Sequence, residues 1–283
     1  IDGIMGAKAT EAIRAFQAFA GLPVTGKPNA ATREALGIQT VSATQRITLS
    51  AEDVGLIAPP PKDWSERSRA RFLGYRSIGD LVAERGHCRI DLLKRLNPGV
   101  DLEGLGAGDS LVIPNVQRPP VRMKATAVEI DLATKIIRAL DSTGRTLGLF
   151  HCSIARKRSK RPTGPCKIKN IVMNPVYLFD PAGWPEVKNV DRRLDIPPGP
   201  RGPVGLCWIG LTKPGYGIHG TPEPTLIGKT GSHGCFRLTN WDAVRLAGML
   251  RVGADVRFID RTATAGPDGV TMSAGAVEAA AGY

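Results

Sequence analysis

The chain has 283 residues, 42% of them hydrophobic, which suffices for roughly two domains, and its 33 Gly and 22 Pro favour strands, turns and loops over helical bundles. Its 38 Lys and Arg exceed its 26 Asp and Glu by 12, which favours anionic partners such as nucleic acid, an acidic membrane or an anionic wall polymer. No stretch approaches the ~18 consecutive apolar residues of a membrane span, and no nucleic-acid motif accompanies the charge, so neither partner is predicted.

Residues 1–37 repeat a short turn followed by a helical pattern. In the first helix Ile13, Phe16 and Ala20 share a face. The segment DGIMGAKATEAIRAFQAFAGLPVTGKPNAATREAL resembles the C-terminal part of the helical peptidoglycan-binding domain. The missing part of such a domain would precede Ile1, so we expect a truncated copy. A helical bundle without a ligand is the alternative.

Residues 38–66 contain APPPKDW and many polar residues, which favours a linker with the proline run as a stiff spacer. In residues 67–117, two helical patterns, Ile78–Glu84 and Ile90–Leu96, are flanked by short extended pieces. The ending LNPGVD…GAGDSLVIPNV resembles a LysM-type module, which implies binding to wall glycan. The alternative is a docking subdomain without glycan affinity.

Residues 121–262 are predicted to be mainly β. Apolar and polar residues alternate from VRMKATAVEID onwards, with turn signals at Asp131–Thr134 and Asp141–Gly144. The stretch DIPPGPRGPVG is predicted to be a long functional loop. The Ala- and Gly-rich tail, 263–283, is predicted to be flexible.

Five cysteines are an odd number, so at least one is predicted to lack a partner within the chain. Cys88, Cys152, Cys166 and Cys207 show no metal-type spacing and are expected to be small buried hydrophobes. A disulfide among the last three stays open for an oxidising compartment. Cys235 differs, because its surroundings, SHGC, are polar and rich in glycine.

The stretch GIHGTPEPTLIGKTGSHGCFRLTNWDA gathers the residues of a nucleophilic site around Cys235. Gly234 removes bulk beside the sulfur and lets successive backbone N–H groups converge, as an oxyanion site requires. A nucleophilic thiol needs a base, and His219 and His233 are the candidates. A thiolate–imidazolium pair would make the thiol reactive near neutral pH. A buried cysteine and a zinc site formed with both histidines are the alternatives.

A helix is predicted directly after this loop. Thr239 and Asp242 have the spacing of a capping box, with Asp in place of the more usual Glu. One apolar face follows, formed by Ala243, Leu246, Ala247 and Leu250. The positive end of such a helix modestly favours a thiolate at Cys235.

The same stretch resembles the signature of the YkuD-like L,D-transpeptidase catalytic domain. That pattern is His-Gly, a spacer, then Ser/Thr-His-Gly-Cys followed by Arg or Asn; here it reads His219-Gly220, then Ser232 to Arg237. The resemblance extends upstream over VEIDLATKIIRALDSTGR and the PTG at Pro162–Gly164 and covers about half the chain. It implies a multidomain protein: a mainly β, mostly antiparallel β-sandwich catalytic domain preceded by small helical or α+β wall-binding-like modules.

The resemblance also assigns roles to individual residues. It implies Cys235 as the nucleophile and His219 as its base, oriented through the backbone carbonyl of Gly220. Backbone N–H groups of His233, Gly234 and Cys235 would form the oxyanion site. The substrate pocket would be formed by Ser232, His233, Arg237, Tyr216 and Trp208.

The alternatives for the pocket residues stay open at this point. Arg237 suits a carboxylate of the stem peptide, and a structural salt bridge is its alternative reading. Tyr216 and Trp208 are equally suited to burial in the sheet.

The implied reaction is acyl transfer on tetrapeptide stems of peptidoglycan, with release of D-alanine and formation of a 3→3 cross-link. No metal or organic cofactor is implied, and the expected partners are stem peptides and glycan. Water, a lipoprotein lysine or a D-amino acid as acceptor would instead give carboxypeptidase, anchoring or exchange activity. A non-catalytic wall-binding protein is a further alternative. The family also implies an extracytoplasmic location, such as the periplasm, and acylation of the nucleophile by carbapenems.

Overall fold

The computed structural model describes residues 2–38, 40–116, 120–184, 186–229, 231–232 and 234–260. The predicted flexible tail, 263–283, lies outside these residues. The helices of the described part are α1 (Ala7–Phe19), α2 (Ala30–Ala35), α3 (Ala51–Gly55), α4 (Trp64–Arg69), α5 (Ile78–Arg85), α6 (Ile90–Leu96) and α7 (Asn240–Met249). The strands are β1 (Thr44–Thr48), β2 (Ser110–Pro114), β3 (Ala127–Asp131), β4 (Ile136–Leu140), β5 (Thr146–His151), β6 (Cys166–Met173), β7 (Tyr177–Phe179), β8 (Leu194–Ile196), β9 (Cys207–Leu211), β10 (Gly217–His219), β11 (Phe236–Arg237) and β12 (Asp255–Ile259).

Helices α1 and α2 are tied together by one buried side chain, Gln17. Its amide nitrogen donates to Thr32 Oγ1 at 2.9 Å and to Lys27 O at 3.0 Å, and its amide oxygen accepts from Thr25 N at 2.9 Å. A buried amide with its donors and acceptor paired fixes the turn between the helices. On its other side α1 packs against β5, where the Arg145 guanidinium lies 4.0 Å from the centre of the Phe19 ring.

The second module, residues 42–116, is built on two strands from its opposite ends. β1 pairs with β2 in antiparallel register from Thr44↔Pro114 to Thr48↔Ser110. Between them lie the helices α3, α5 and α6, which share an apolar core that includes Leu81, Val82, Leu93, Leu111 and Ile113.

The predicted linker, 38–66, is therefore wrong in part, because β1 and α3 belong to this module. A capping box of Ser50 and Asp53 fixes the start of α3. The prolines at 59–61 do lie outside regular structure. The helices α5 and α6 lie where they were predicted, and the resemblance to a LysM module stays a prediction.

The main sheet has the strand order β11-β10-β9-β6-β12-β3-β4-β5. β6 pairs with β12 at Cys166 and Lys167, and with β9 from Ile168 to Met173, with a register shift between Ile168 and Asn170. A strand that changes partners at such an irregularity turns the sheet back on itself. The two halves thus enclose one apolar core, which includes Val128, Ile130, Ile137, Ile168, Ile209 and Phe236.

The mainly β fold predicted for this part, preceded by a small helical region, is confirmed. Pairs β3–β12 and β10–β11 are parallel, and the other ladders of the sheet are antiparallel. Helix α7 covers the core with Ala243, Leu246 and Ala247, as its apolar face predicts. Among the described helices, none combines the length and apolar character needed to cross a membrane.

A hairpin of β7 and β8 projects from the main sheet and packs on α4. Trp64 of α4 stacks on Phe179 with ring centres 4.0 Å apart, and Trp184 lies 5.8 Å from Trp64. β8 ends at Ile196, so the loop predicted for DIPPGPRGPVG begins at Pro197, two residues after the start of that stretch at Asp195. Its Arg201 is buried rather than exposed.

Candidate active site

Strand register brings the predicted nucleophile and base to one face of the sheet. His219 on β10 is paired with Trp208 on β9 and with Arg237 on β11. Paired residues in a sheet point to the same face, and neighbours along a strand alternate. Ile218 faces the apolar core, so His219, Trp208 and Arg237 face away from it. Cys235 directly precedes β11 and lies two residues before Arg237, so alternation along an extended chain predicts that it shares this face.

His219 is held as a neutral imidazole with a defined tautomer. It is 6% exposed, and its Nδ1 lies 2.6 Å from Gly220 O. A carbonyl oxygen only accepts, so Nδ1 carries the proton and Nε2 is left as an acceptor. Burial lowers the pKa of His219 to about 4, against a smaller opposing effect of the Gly220 carbonyl. The ring is therefore ready to take a proton at neutral pH.

Cys235 is a half-buried thiol directly before β11. Its Sγ–H donates to Gly215 O at 3.5 Å. Burial raises the pKa of the thiol, while the Gly217 N–H and the charge of Arg237 act in the opposite direction. Together with the lowered pKa of His219, this favours a neutral thiol and a neutral imidazole at rest. The thiolate–imidazolium pair predicted from the sequence is therefore not the favoured state, because both groups are desolvated.

The loop around Cys235 is braced by Ser232. The hydroxyl of Ser232 donates to Cys235 O and accepts from Gly234 N–H at 3.3 Å. The structure thus places Ser232 inside the loop. The Gly234 N–H, which is predicted to be an oxyanion donor, makes a long hydrogen bond to Ser232, and a substrate oxygen would have to replace that bond. His233, predicted for the same site, lies outside the described residues. In the described part of the chain, no group of three or more His, Cys, Asp and Glu side chains is arranged to hold a metal ion.

Arg237 and Tyr216 both border this loop. Arg237 donates to Gly231 O, and its buried Nε has no hydrogen-bond partner. No carboxylate of the described residues pairs with Arg237, so the alternative of a structural salt bridge is not supported within them. Tyr216 lies beside Gly234, where an added Cβ would be 3.6 Å from its ring, and its hydroxyl donates to Lys160 O at 3.0 Å.

Trp208 packs directly on His219, the predicted base. Its indole stacks on His219 with ring centres 5.7 Å apart and planes at 22°. The ring lies over Gly217, where a Cβ would come 2.4 Å from the nearest indole carbon. The sequence indicated Trp208 as a pocket residue, but the need for glycine at 217 follows only from strand pairing.

Gly217→Ala is expected to lower kcat by roughly tenfold to a hundredfold, because the added methyl group displaces the indole that packs on His219. Steady-state kinetics measures the change in kcat, and tryptophan fluorescence measures the displacement of the indole. Gly55→Ala is the matched control, since nothing lies within 4 Å of a Cβ there. A kcat equal to that of the control would show that the contact does not support the base.

The sequence also gives no indication of the role of Asn240. Asn240, at the first position of α7, is 1% exposed. Its Oδ1 accepts from Leu206 N at 3.2 Å and from Thr221 N at 3.1 Å, directly after the Gly220 carbonyl that holds His219. No local pattern marks this asparagine, because its partners come from three separate segments of the chain.

Two domain families match the sequence of this chain. The L,D-transpeptidase catalytic domain, YkuD, matches residues 125–258, and a peptidoglycan-binding domain matches residues 1–36. The relative YkuD of Bacillus licheniformis, named as an L,D-transpeptidase, is 34% identical over 164 residues, which are 58% of this chain and 82% of the relative. Its counterpart in Bacillus subtilis is 31% identical over the same shares.

Solved structures with a similar chain include two L,D-transpeptidases. The protein from Mycobacterium smegmatis is 16% identical, with 57% of this chain and 80% of that chain covered and a TM-score of 0.38. The protein from Enterococcus faecium is 19% identical, with 48% and 50% covered and a TM-score of 0.36. The family assignment rests on the sequence matches, which span most of the Bacillus relatives. The chain belongs to the YkuD family of L,D-transpeptidases.

Proposed function

We propose that this protein forms 3→3 cross-links in peptidoglycan through a cysteine acyl-enzyme on tetrapeptide stems. The observation that carries the proposal is the pairing of His219 with Arg237, two residues after Cys235, together with the bond of His219 Nδ1 to Gly220 O, which leaves Nε2 to accept a proton. A thiol beside an oriented neutral imidazole is suited to nucleophilic acyl transfer.

In the first half-reaction, Cys235 Sγ attacks the carbonyl at the L-centre of diaminopimelate in the donor stem. His219 takes the thiol proton as the C–S bond forms. The thiol must first turn away from Gly215 O, to which it donates in the resting structure. The C–N bond to D-alanine then breaks, and the proton on His219 passes to the leaving amine. The products are a thioester on Cys235 and free D-alanine.

In the second half-reaction, the side-chain amine of a neighbouring diaminopimelate attacks the thioester. His219 takes the amine proton and returns it to the sulfur as the C–S bond breaks. The new amide is the 3→3 cross-link, and the thiol is restored. In both halves the developing oxyanion is assigned to the N–H groups of Gly234 and Cys235, with that of His233 as the third donor expected from the family.

Arg237 is the proposed contact for a carboxylate of the stem peptide. Its unpaired Nε, the absence of an acidic partner within the described residues and its place on the face of Cys235 support this role. The net charge of +12 suits an anionic polymer. A substrate in the cell wall implies that the enzyme works outside the cytoplasmic membrane, with the peptidoglycan-binding match at residues 1–36 in agreement.

The test is product analysis by mass spectrometry. The purified protein is incubated with disaccharide tetrapeptide that contains diaminopimelate, beside a Cys235→Ala control. The expected product is a dimer that lacks one D-alanine and is absent from the control. Tripeptide alone would replace cross-linking with L,D-carboxypeptidase activity. Unchanged substrate, with intact binding to insoluble peptidoglycan, would favour a non-catalytic wall-binding protein.

A further inference from the structure

A buried polar cluster joins the second module to the catalytic domain. It consists of Tyr75, Asp80 and Glu84 from the module and Arg201 and Asn240 from the catalytic domain. Glu84 and Arg201 are each 8% exposed, and Asn240 is 1% exposed. Burying charged groups in an interface is unfavourable unless their geometry is well satisfied. A buried, charged interface is therefore weak evidence that this cluster serves only to stabilise the contact between the two parts.

Glu84 is the centre of this cluster. Its carboxylate accepts from Asn240 Nδ2 at 3.1 and 3.2 Å, from an Arg201 nitrogen at 3.0 Å and from the Tyr75 hydroxyl at 3.2 Å. Arg201 also pairs with Asp80 on the same face of α5. Burial raises the pKa of Glu84, and Arg201 and Asn240 oppose that rise. All donors around Glu84 point at its two oxygens.

Asn240 passes the constraint on to the base. With Nδ2 donated to Glu84 and to Pro200 O, the amide is fixed so that Oδ1 receives the N–H groups of Leu206 and Thr221. Gly220 is the preceding residue in the chain, and a Cβ on it would lie 2.2 Å from Asn240 Oδ1. The Gly220 carbonyl is the acceptor that sets the tautomer and the orientation of His219.

A second contact holds the same turn of α7. His87 of the module stacks on Trp241 with ring centres 5.0 Å apart and planes at 12°. Trp241 follows Asn240 directly. The module thus touches the first turn of α7 at two consecutive residues, and this turn carries the amide that holds the segment after His219.

We propose that Glu84 is a positioning residue for the catalytic base: through Asn240 it fixes the Gly220–Thr221 backbone and thereby the ring of His219. The second module then completes the active site of this chain in addition to any contact with the wall. The inference rests on the proposed function only for its kinetic readout, because the geometry of His219 is measurable without substrate.

The test uses Glu84→Gln in the whole chain. The amide keeps the shape of the side chain but places an NH2 group against donors from Asn240 or Arg201, so the Asn240 amide loses part of its hold. We expect kcat to fall roughly tenfold with KM within about twofold. We also expect the NMR resonances of the His219 ring to shift in the protein without substrate, which tests its orientation directly.

Asp53→Asn is the matched control. Asp53 is a second buried carboxylate of the same module, and it pairs with Arg85 and forms a capping box with Ser50, two residues of that module. This variant should lose stability but keep kcat and the resonances of His219. Glu84→Gln with the kcat and the resonances of Asp53→Asn, at equal folded fraction, would overturn the proposal.

Two other experimental outcomes also test the proposal. If Glu84→Gln does not fold, Tyr75→Phe takes its place, because it removes one donor to Glu84 and leaves the carboxylate. A smaller shift of the His219 resonances with a smaller fall in kcat supports the proposal, and unchanged values reject it. If the wild-type protein shows no turnover, the proposed function fails, and the His219 resonances of the same variants still decide the positioning role.

Discussion

Cys235→Ala is expected to abolish transpeptidation, with a loss of at least about 10⁴-fold in kcat, while the fold is retained. No other cysteine can replace this thiol, since Cys88, Cys152, Cys166 and Cys207 are all buried. The change in the free energy of unfolding should stay below about 1 kcal/mol, because Cys235 is only half-buried and makes one long bond to Gly215. Kinetics and thermal unfolding measure the two quantities.

Covalent labelling makes this prediction specific to one sulfur. A carbapenem should add its mass to the wild-type protein and not to Cys235→Ala. Cys152→Ala is the control, because burial raises the pKa of that thiol and keeps it unreactive in the core. The control should keep both turnover and the adduct. An adduct that persists in Cys235→Ala would assign the reactive thiol to another cysteine.

Local signals explain the parts of the structure that the sequence predicted well. Thr239 caps α7 by accepting from Asp242 N at 3.3 Å, and the apolar face that follows is buried. The alternation of apolar and polar residues predicted the strands of the catalytic domain. The signature around Cys235 predicts His219 as its base, and the register of β10 with β11 pairs His219 with Arg237, two residues after Cys235.

The features that the sequence does not predict depend on contacts between residues that are distant in the chain. The sequence does not predict β1, because TQRIT is mostly exposed and its partner strand is 62 residues away, as in the pair Thr48 and Ser110. In the sequence, Glu84 is an ordinary polar position on α5, because its partner Asn240 is 156 residues away. The motif does not predict a neutral Cys235 and His219, because desolvation depends on burial, which the motif does not encode.

In the proposed mechanism, His219 activates the thiol of Cys235 as a general base. His219→Ala should lower kcat by about 10³-fold, within the range of general-base catalysis, and leave Cys235 in place. If the resting pair is neutral, the thiolate fraction is set by Cys235 alone. Alkylation of Cys235 by iodoacetamide should then rise with pH toward the raised pKa of the thiol, with nearly the same profile in wild type and variant.

An ion pair would behave in the opposite way. A thiolate stabilised by an imidazolium would give a plateau of alkylation at neutral pH, and His219→Ala would remove that plateau. For turnover, the base must be unprotonated, so kcat/KM of the wild type should stay level through neutral pH and fall only as pH drops through about 4. A neutral plateau of alkylation that depends on His219 would contradict the neutral pair.

Protein stability supplies an independent measure of the same burial. The pKa of His219 falls from 6.5 in the unfolded chain to about 4 in the folded one, so protonation favours unfolding. Its contribution is complete above pH 6.5 and is lost as pH falls toward 4, by about 3 kcal/mol. Chemical denaturation across this range should show a steeper loss in the wild type than in His219→Ala. Equal slopes would mean that the imidazole is solvated in the folded protein, and the base would then titrate near its ordinary pKa.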